Sequence, residues 1–191
     1  TTLTIGATNS TGNSLSITNG GRLFTVGAIL GTNSSFNSAA VVGSNSLWNV
    51  GGVLHVGFGS NTSYGNSLLI DAGVVTNVTS ISVGGTFSSG NTLIITNGGR
   101  LFSPGAFTVI GRSGTGAFST NNTATITGNG SRWDIGSQTL NIGQSAGGRS
   151  NRLWITDGGL LTNGNVNLGT GASDANNNHL VLLDRKSTRL N

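Results

Sequence analysis

Residues 13–28 read NSLSITNGGRLFTVGA and residues 91–106 read NTLIITNGGRLFSPGA. The two stretches agree at 12 of 16 positions across an offset of 78 residues, so the chain repeats itself. In each, apolar residues stand second and fourth after the leading Asn: Leu15 and Ile17, then Leu93 and Ile95. Period-two placement of this kind belongs to a strand with one buried face, and the Asn-Gly-Gly that follows belongs to a corner.

The same pattern recurs along the chain. Seven Asn residues (Asn13, Asn37, Asn66, Asn91, Asn122, Asn151 and Asn178) each precede an apolar pair, ending with Leu180 and Leu182 after Asn178. A second, independent marker is an apolar residue followed by Gly: Ile5-Gly6, Leu30-Gly31, Val56-Gly57, Val83-Gly84, Ile110-Gly111, Ile142-Gly143 and Leu168-Gly169. Its spacing is 25 to 32 residues. Each unit is read as three short strands with Gly-rich corners, too small to enclose a core alone. Stacked at about 4.8 Å per turn, such units build a parallel β-solenoid whose interior is ladders of Leu, Ile and Val. The predicted fold is therefore all-β: a single-stranded parallel β-helix of about seven coils spanning residues 1–183. A β-sandwich would place strands every 8 to 12 residues without this register. Handedness is left open.

The 78-residue offset covers three coils and extends into the next one. Ala39, Val41, Trp48 and Val50 correspond to Ala124, Ile126, Trp133 and Ile135, which places both Trp residues inside. Both Trp coils carry Ala where the others carry Leu. Close packing explains the exchange, and Trp48 is expected to contact Ala39. The Asn at each coil start suits stacked amides that hydrogen-bond from coil to coil, and Asn also tolerates the φ values of corners.

Composition supports the same class. Gly, Thr, Ser and Asn supply 106 of 191 residues, charged residues only 7%, and Glu is absent. That mix excludes an ordinary helical enzyme, while 35% apolar content is enough for a core. The formal charge of +4 does not point to nucleic acid, because half of it lies in the last eight residues and the rest is spread along the sequence. No uninterrupted apolar run exceeds the four residues of Leu180 to Leu183, which cannot span a bilayer. Without Cys there is no disulfide framework or thiolate site. No signal peptide opens the chain at Thr1, which reads as a mature form or a piece of a longer protein.

The motifs NSLSITNGGRLF, NTLIITNGGRLF and NRLWITDGGLLTNG (residues 151–164) resemble the repeats of autotransporter-type secreted passengers and related bacterial surface β-solenoids. The resemblance covers residues 1–183. It implies the fold and an extracellular or cell-surface setting, and it brings no catalytic residues with it.

Candidate chemistry is sparse. Polysaccharide-cleaving solenoids need paired carboxylates, and the supply before the tail is Asp71, Asp134, Asp157 and Asp174. Corner Asp residues such as Asp71 and Asp157 more simply make Asx turns. His55 and His179 stand apart from each other and from any acid cluster, and no GGxGxD calcium repeat occurs. No enzyme activity, metal or cofactor is expected. Only one of six outward pairs on the Asn-headed strands, Thr125 and Thr127, is a Thr pair, which does not make an ice-binding lattice.

Two surfaces remain. Ala40, Val42, Leu69, Ile94 and Trp154 are apolar at outward positions, and Phe24 and Phe102 are expected to add to that candidate interaction surface. The chain opens on TTLTIG, the last strand of a coil, and NHLVLLD is the first strand of another. Leu3, Ile5, Leu180 and Leu182 are therefore candidates for end-to-end stacking. Head-to-tail contact of this type does not close, so the favoured function is a structural extracellular protein whose subunits stack into a filament as a homo-oligomer. The alternative is an adhesin or stalk segment of a larger secreted surface protein that binds glycans or host surfaces. Residues 184–191, DRKSTRLN, break the alternation and resemble read-through ends of translated environmental sequences. They are expected to form an irregular tail, with the natural chain continuing past Leu183.

Overall fold

The Asn-headed segments fold as parallel strands in a computed structural model that describes residues 1–60, 62–114, 117–170 and 174–183. No helix occurs among these residues, and none is therefore long and apolar enough to cross a membrane. The expected tail, 184–191, lies outside the described residues.

One coil shows the plan. Ser38–Val42 carries the buried pair Ala39 and Val41, Leu47–Asn49 carries Trp48, and Val53–Phe58 carries the apolar-Gly marker one residue before its end. A fourth strand of two residues, Ser63–Tyr64, then leads into the next coil. This short strand adds to the three expected per coil and recurs at Ser88–Ser89, Ser119–Thr120 and Gly148–Arg149. Stacking gives four parallel sheets: two of seven strands, one of six and one of four. They are named here the ladder sheet (Ser14–Ile17 through His179–Leu183), the glycine sheet (Thr2–Ile5 through Asn165–Thr170), the tryptophan sheet (Arg22–Phe24 through Leu160–Thr162) and the serine sheet.

Register matches the repeat residue for residue. The marker residues Ile5, Leu30, Val56, Val83, Ile110, Ile142 and Leu168 form one column of the glycine sheet. Leu15, Ala39, Leu68, Leu93, Ala124, Leu153 and Leu180 form one of the ladder sheet. A third column, Leu23, Trp48, Val75, Leu101, Trp133 and Leu161, alternates size on the tryptophan sheet. These columns meet in one continuous core in which both Trp side chains are fully buried.

Each indole is also satisfied. Trp48 Nε1 donates to Thr25 Oγ1 at 3.1 Å, and Trp133 Nε1 donates to Ser103 Oγ at 2.8 Å. Thr25 and Ser103 follow the two RLF triplets, one coil before their Trp. The three-coil repeat thus carries the hydroxyl and the indole together, since a buried indole N–H without a partner is costly.

Coil length varies most at one corner. Five residues lie between Gly31 and Asn37, whereas ten lie between Gly111 and Asn122. The larger insertions are taken up between marker Gly and ladder Asn, away from the three longer sheets.

Candidate interaction surfaces and the axial ladder

The seven Asn residues form an unbroken amide ladder. Asn37 Nδ2 donates to Asn66 Oδ1 at 2.9 Å, Asn66 to Asn91 at 3.0 Å, Asn91 to Asn122 at 2.9 Å and Asn122 to Asn151 at 3.0 Å. Asn13 begins the series on Asn37 at 2.9 Å, and Asn178 ends it by accepting from Asn151 at 3.1 Å. The main-chain N–H of each donating Asn reaches the same oxygen, as between Asn91 and Asn122 at 3.0 Å. The five inner amides are completely shielded from solvent. Stacked amides therefore join the coils by more than turn chemistry, and burial strengthens each bond.

The ladder has a direction. Every rung donates toward the next coil and accepts from the previous one. Among the described residues no donor reaches Asn13 Oδ1, and the main-chain N–H of Asn178 has no acceptor. One end of the solenoid thus offers an acceptor and the other a donor, on the same axis.

Sequence reading missed the serines that hold the amides. Ser10, Ser34, Ser63 and Ser119 stand three residues before a ladder Asn and accept from its Nδ2, for example Asn37 to Ser34 at 2.9 Å and Asn122 to Ser119 at 3.1 Å. The spacing Ser-x-x-Asn was a readable signal. The residue just before each Asn is also constrained: Gly12, Phe36, Gly65, Gly90, Asn121, Ser150 and Asn177 all have φ between 56° and 71°.

The candidate outward stripe is a single register column. Ala40, Leu69, Ile94, Thr125, Trp154 and Val181 follow one another across the ladder sheet, with Val42 in a neighbouring column beside Asp71. Ile94 is 38% exposed and the others are half-buried. Phe24 and Phe102 do not join this surface. Both lie on the tryptophan sheet, three coils apart in a column that holds Asn49 and Thr76 between them. Two further ring pairs were not foreseen: Phe36 meets Tyr64 edge-on at 4.9 Å, and Phe87 meets Phe118 at 5.7 Å, beside the serine sheet.

The end residues sit as the repeat requires. Leu3 and Ile5 belong to the terminal strand of the glycine sheet, and Leu180 and Leu182 to the terminal strand of the ladder sheet. Leu182 is 66% exposed although its column is buried inside the solenoid, because no described strand lies beyond it.

Each of the four candidate acids has a local partner. Asp71 accepts from Asn97 Nδ2 at 2.9 Å, Asp134 pairs with Arg132 at 2.7 Å, Asp157 accepts from Thr127 at 3.2 Å and Asp174 pairs with Arg149 at 3.4 Å. No group of three or more His, Cys, Asp or Glu side chains suited to a metal occurs among the described residues. His55 lies on the outward side of the glycine sheet, stacked on Phe58 at 4.6 Å, with Nδ1 2.6 Å from Ser82 Oγ. Burial, then the positive charge of Arg112, lowers its pKa from 6.5 to about 4. A neutral imidazole and a hydroxyl would make a nucleophile–base pair if they were open to substrate, but Ser82 is buried.

No family model, no curated protein and no solved structure matches this chain.

Proposed function

We propose that this is a structural extracellular protein whose solenoid subunits stack head to tail into a filament. The polarity of the Asn ladder carries the reading. An acceptor at Asn13 and a donor at Asn178 complement one another across a contact that uses different faces, and heterologous contacts that do not close grow into fibres. The inward columns support it, because each is aliphatic at both ends: Leu3 and Val166, Ile5 and Leu168, Leu15 and Leu180, Ile17 and Leu182, Leu23 and Leu161. Bringing such ends together removes apolar area from water at about 25 cal/mol per Å² and pairs open strand edges. The resemblance to autotransporter-type passengers supports the extracellular setting. Electron microscopy and sedimentation of the purified chain test the proposal. Fibres whose length falls on Leu182→Asp are expected, and monodisperse monomers at high concentration would overturn it.

A second reading, a stalk or adhesin segment of a longer surface protein, is favoured by one observation. The tryptophan sheet has six described strands against seven in its two long neighbours, so two stacked copies would leave one three-residue strand position open. A further coil within one chain would fill it. On this reading the stripe through Leu69, Ile94 and Trp154 meets glycans or host surfaces, and glycan-array binding lost on Trp154→Ser is the corresponding test.

A further inference from the structure

Although the arginines are scattered in sequence, three of the six before residue 184 share one column on the outside of the tryptophan sheet: Arg22, Arg100 and Arg132, with Leu47 and Val74 between the first two. Arg132 is taken by Asp134, the one acid on these strands. Arg22 and Arg100 form no ion pair among the described residues, and both are exposed.

Each of these two arginines borders a cleft, and the clefts occupy equivalent places in the fold, although Asn45 of the first corresponds to Gly130 of the second, where Asn129 supplies the amide. The first is a hollow of about 280 Å³ between Arg22, Asn45, Ser46, Leu47 and Val74. The second, of about 370 Å³, lies between Arg100, Asn129, Ser131, Arg132, Phe102 and Leu160. The three-coil repeat relates them: Arg22 to Arg100, Ser46 to Ser131, Leu47 to Arg132. Both arise because the Trp coils have a corner one residue longer than the Asn-Gly-Gly corner of the coil before. The longer corner is anchored across coils by its serine, which accepts from Gly20 N at 3.1 Å in one case and from Gly98 N at 3.0 Å in the other. The clefts are therefore built into the fold and held open by buried hydroxyls, about 14 Å apart at 4.8 Å per coil.

We infer that these paired clefts bind an acidic polysaccharide laid along the solenoid axis, with one carboxylate or sulfate on Arg22 and another on Arg100. A guanidinium fork suits a planar or tetrahedral oxyanion through two parallel hydrogen bonds. Around it stand an Asn side chain for sugar hydroxyls and an aliphatic wall, Val74 or Leu160, for the ring's C–H face, which is the mixture that sugar sites present. Nucleic acid fits less well. It carries a charge every few ångströms and binds to continuous basic tracks, whereas here apolar residues separate two isolated cations. The site is on a different sheet from the outward stripe and requires neither self-stacking nor its absence.

Calorimetric titration with polygalacturonate, a chondroitin sulfate, neutral dextran and a single-stranded oligonucleotide tests the inference. Binding to at least one of the two acidic polysaccharides and not to dextran is expected, weakening as salt rises, and the two arms separate carboxylate from sulfate as the recognised group. Arg22→Gln with Arg100→Gln should weaken binding tenfold or more, and each single change less, because one chain engages both clefts. A tetramer of galacturonate should bind more tightly than the monomer if carboxylate is the group. Both substitutions are at exposed positions, and an unchanged circular dichroism spectrum and melting temperature certify the fold. No binding to either acidic polysaccharide, affinity unchanged in the double variant, or equal affinity for the oligonucleotide would each overturn it.

Discussion

The side chain of Asn151 occupies the volume that a Cβ on Gly111 would need. The same relation holds between Gly6 and Asn37, Gly31 and Asn66, Gly57 and Asn91, Gly84 and Asn122, and Gly143 and Asn178. Two sequence markers that look independent are therefore one device. The Gly near the end of the third strand leaves room for the amide two coil starts later to lie in the interior, and its φ of +77° at Gly111 is a second demand that Gly meets without strain.

Gly111→Ala should accordingly destabilise by about 3 kcal/mol or more, combining left-handed backbone strain with displacement of a buried, hydrogen-bonded amide. Gly12→Ala supplies the contrast. Gly12 has φ 71° but open space around its Cβ position, so only the backbone cost of about 1 kcal/mol should appear. Urea unfolding of the two variants checks this, and equal losses would show that the amide is not what excludes the methyl group.

Removing a rung tests the ladder itself. Asn122→Ala deletes the acceptor used by Asn91 N and Nδ2 and the donor to Asn151. It leaves buried polar groups unpaired, for an expected loss of about 2 to 4 kcal/mol. Asn13→Ala, at the exposed end, should cost less than half as much. If the two substitutions cost the same, coil-to-coil bonding contributes little beyond turn chemistry.

The tryptophan unit makes two predictions of opposite packing sense. Ala39→Leu should cost about 1 to 3 kcal/mol by overpacking the closed core that Ala39 and Trp48 both line. Ser103→Ala leaves the Trp133 indole N–H without its acceptor and should cost about 1 to 3 kcal/mol, with Ser103→Thr largely restoring stability. A neutral Ala39→Leu would mean that the Ala and Trp columns do not share volume.

Much of this was legible because a solenoid writes its register into its period. Leu15 and Ile17, the marker glycines, the two buried Trp residues and the amide ladder all follow from alternation and spacing. What escaped depends on contacts between coils rather than along one. Thr25 and Ser103 look like ordinary strand-end residues until the next coil sets an indole over them, and Ser10, Ser34, Ser63 and Ser119 look like turn filler. Phe24 and Phe102 misled because the sequence shows that a residue faces outward without showing which of four sheets it faces out from.

The pH dependence of stability should centre on His55. Its folded pKa, about 4, lies below the unfolded value of 6.5, since burial and the nearby Arg112 both oppose the imidazolium. Between those values the unfolded chain binds a proton that the folded chain refuses, so stability is full above pH 6.5 and falls as the pH drops toward 4. At 1.36 kcal/mol per unit the loss attributable to this group reaches about 3 kcal/mol. Urea unfolding at pH 7, 5.5 and 4.5 should show the decline in the wild type and a much shallower one in His55→Gln. Arg112→Gln should remove only the smaller part, because burial is the larger cause. A His55→Gln profile parallel to that of the wild type would place the sensitivity elsewhere.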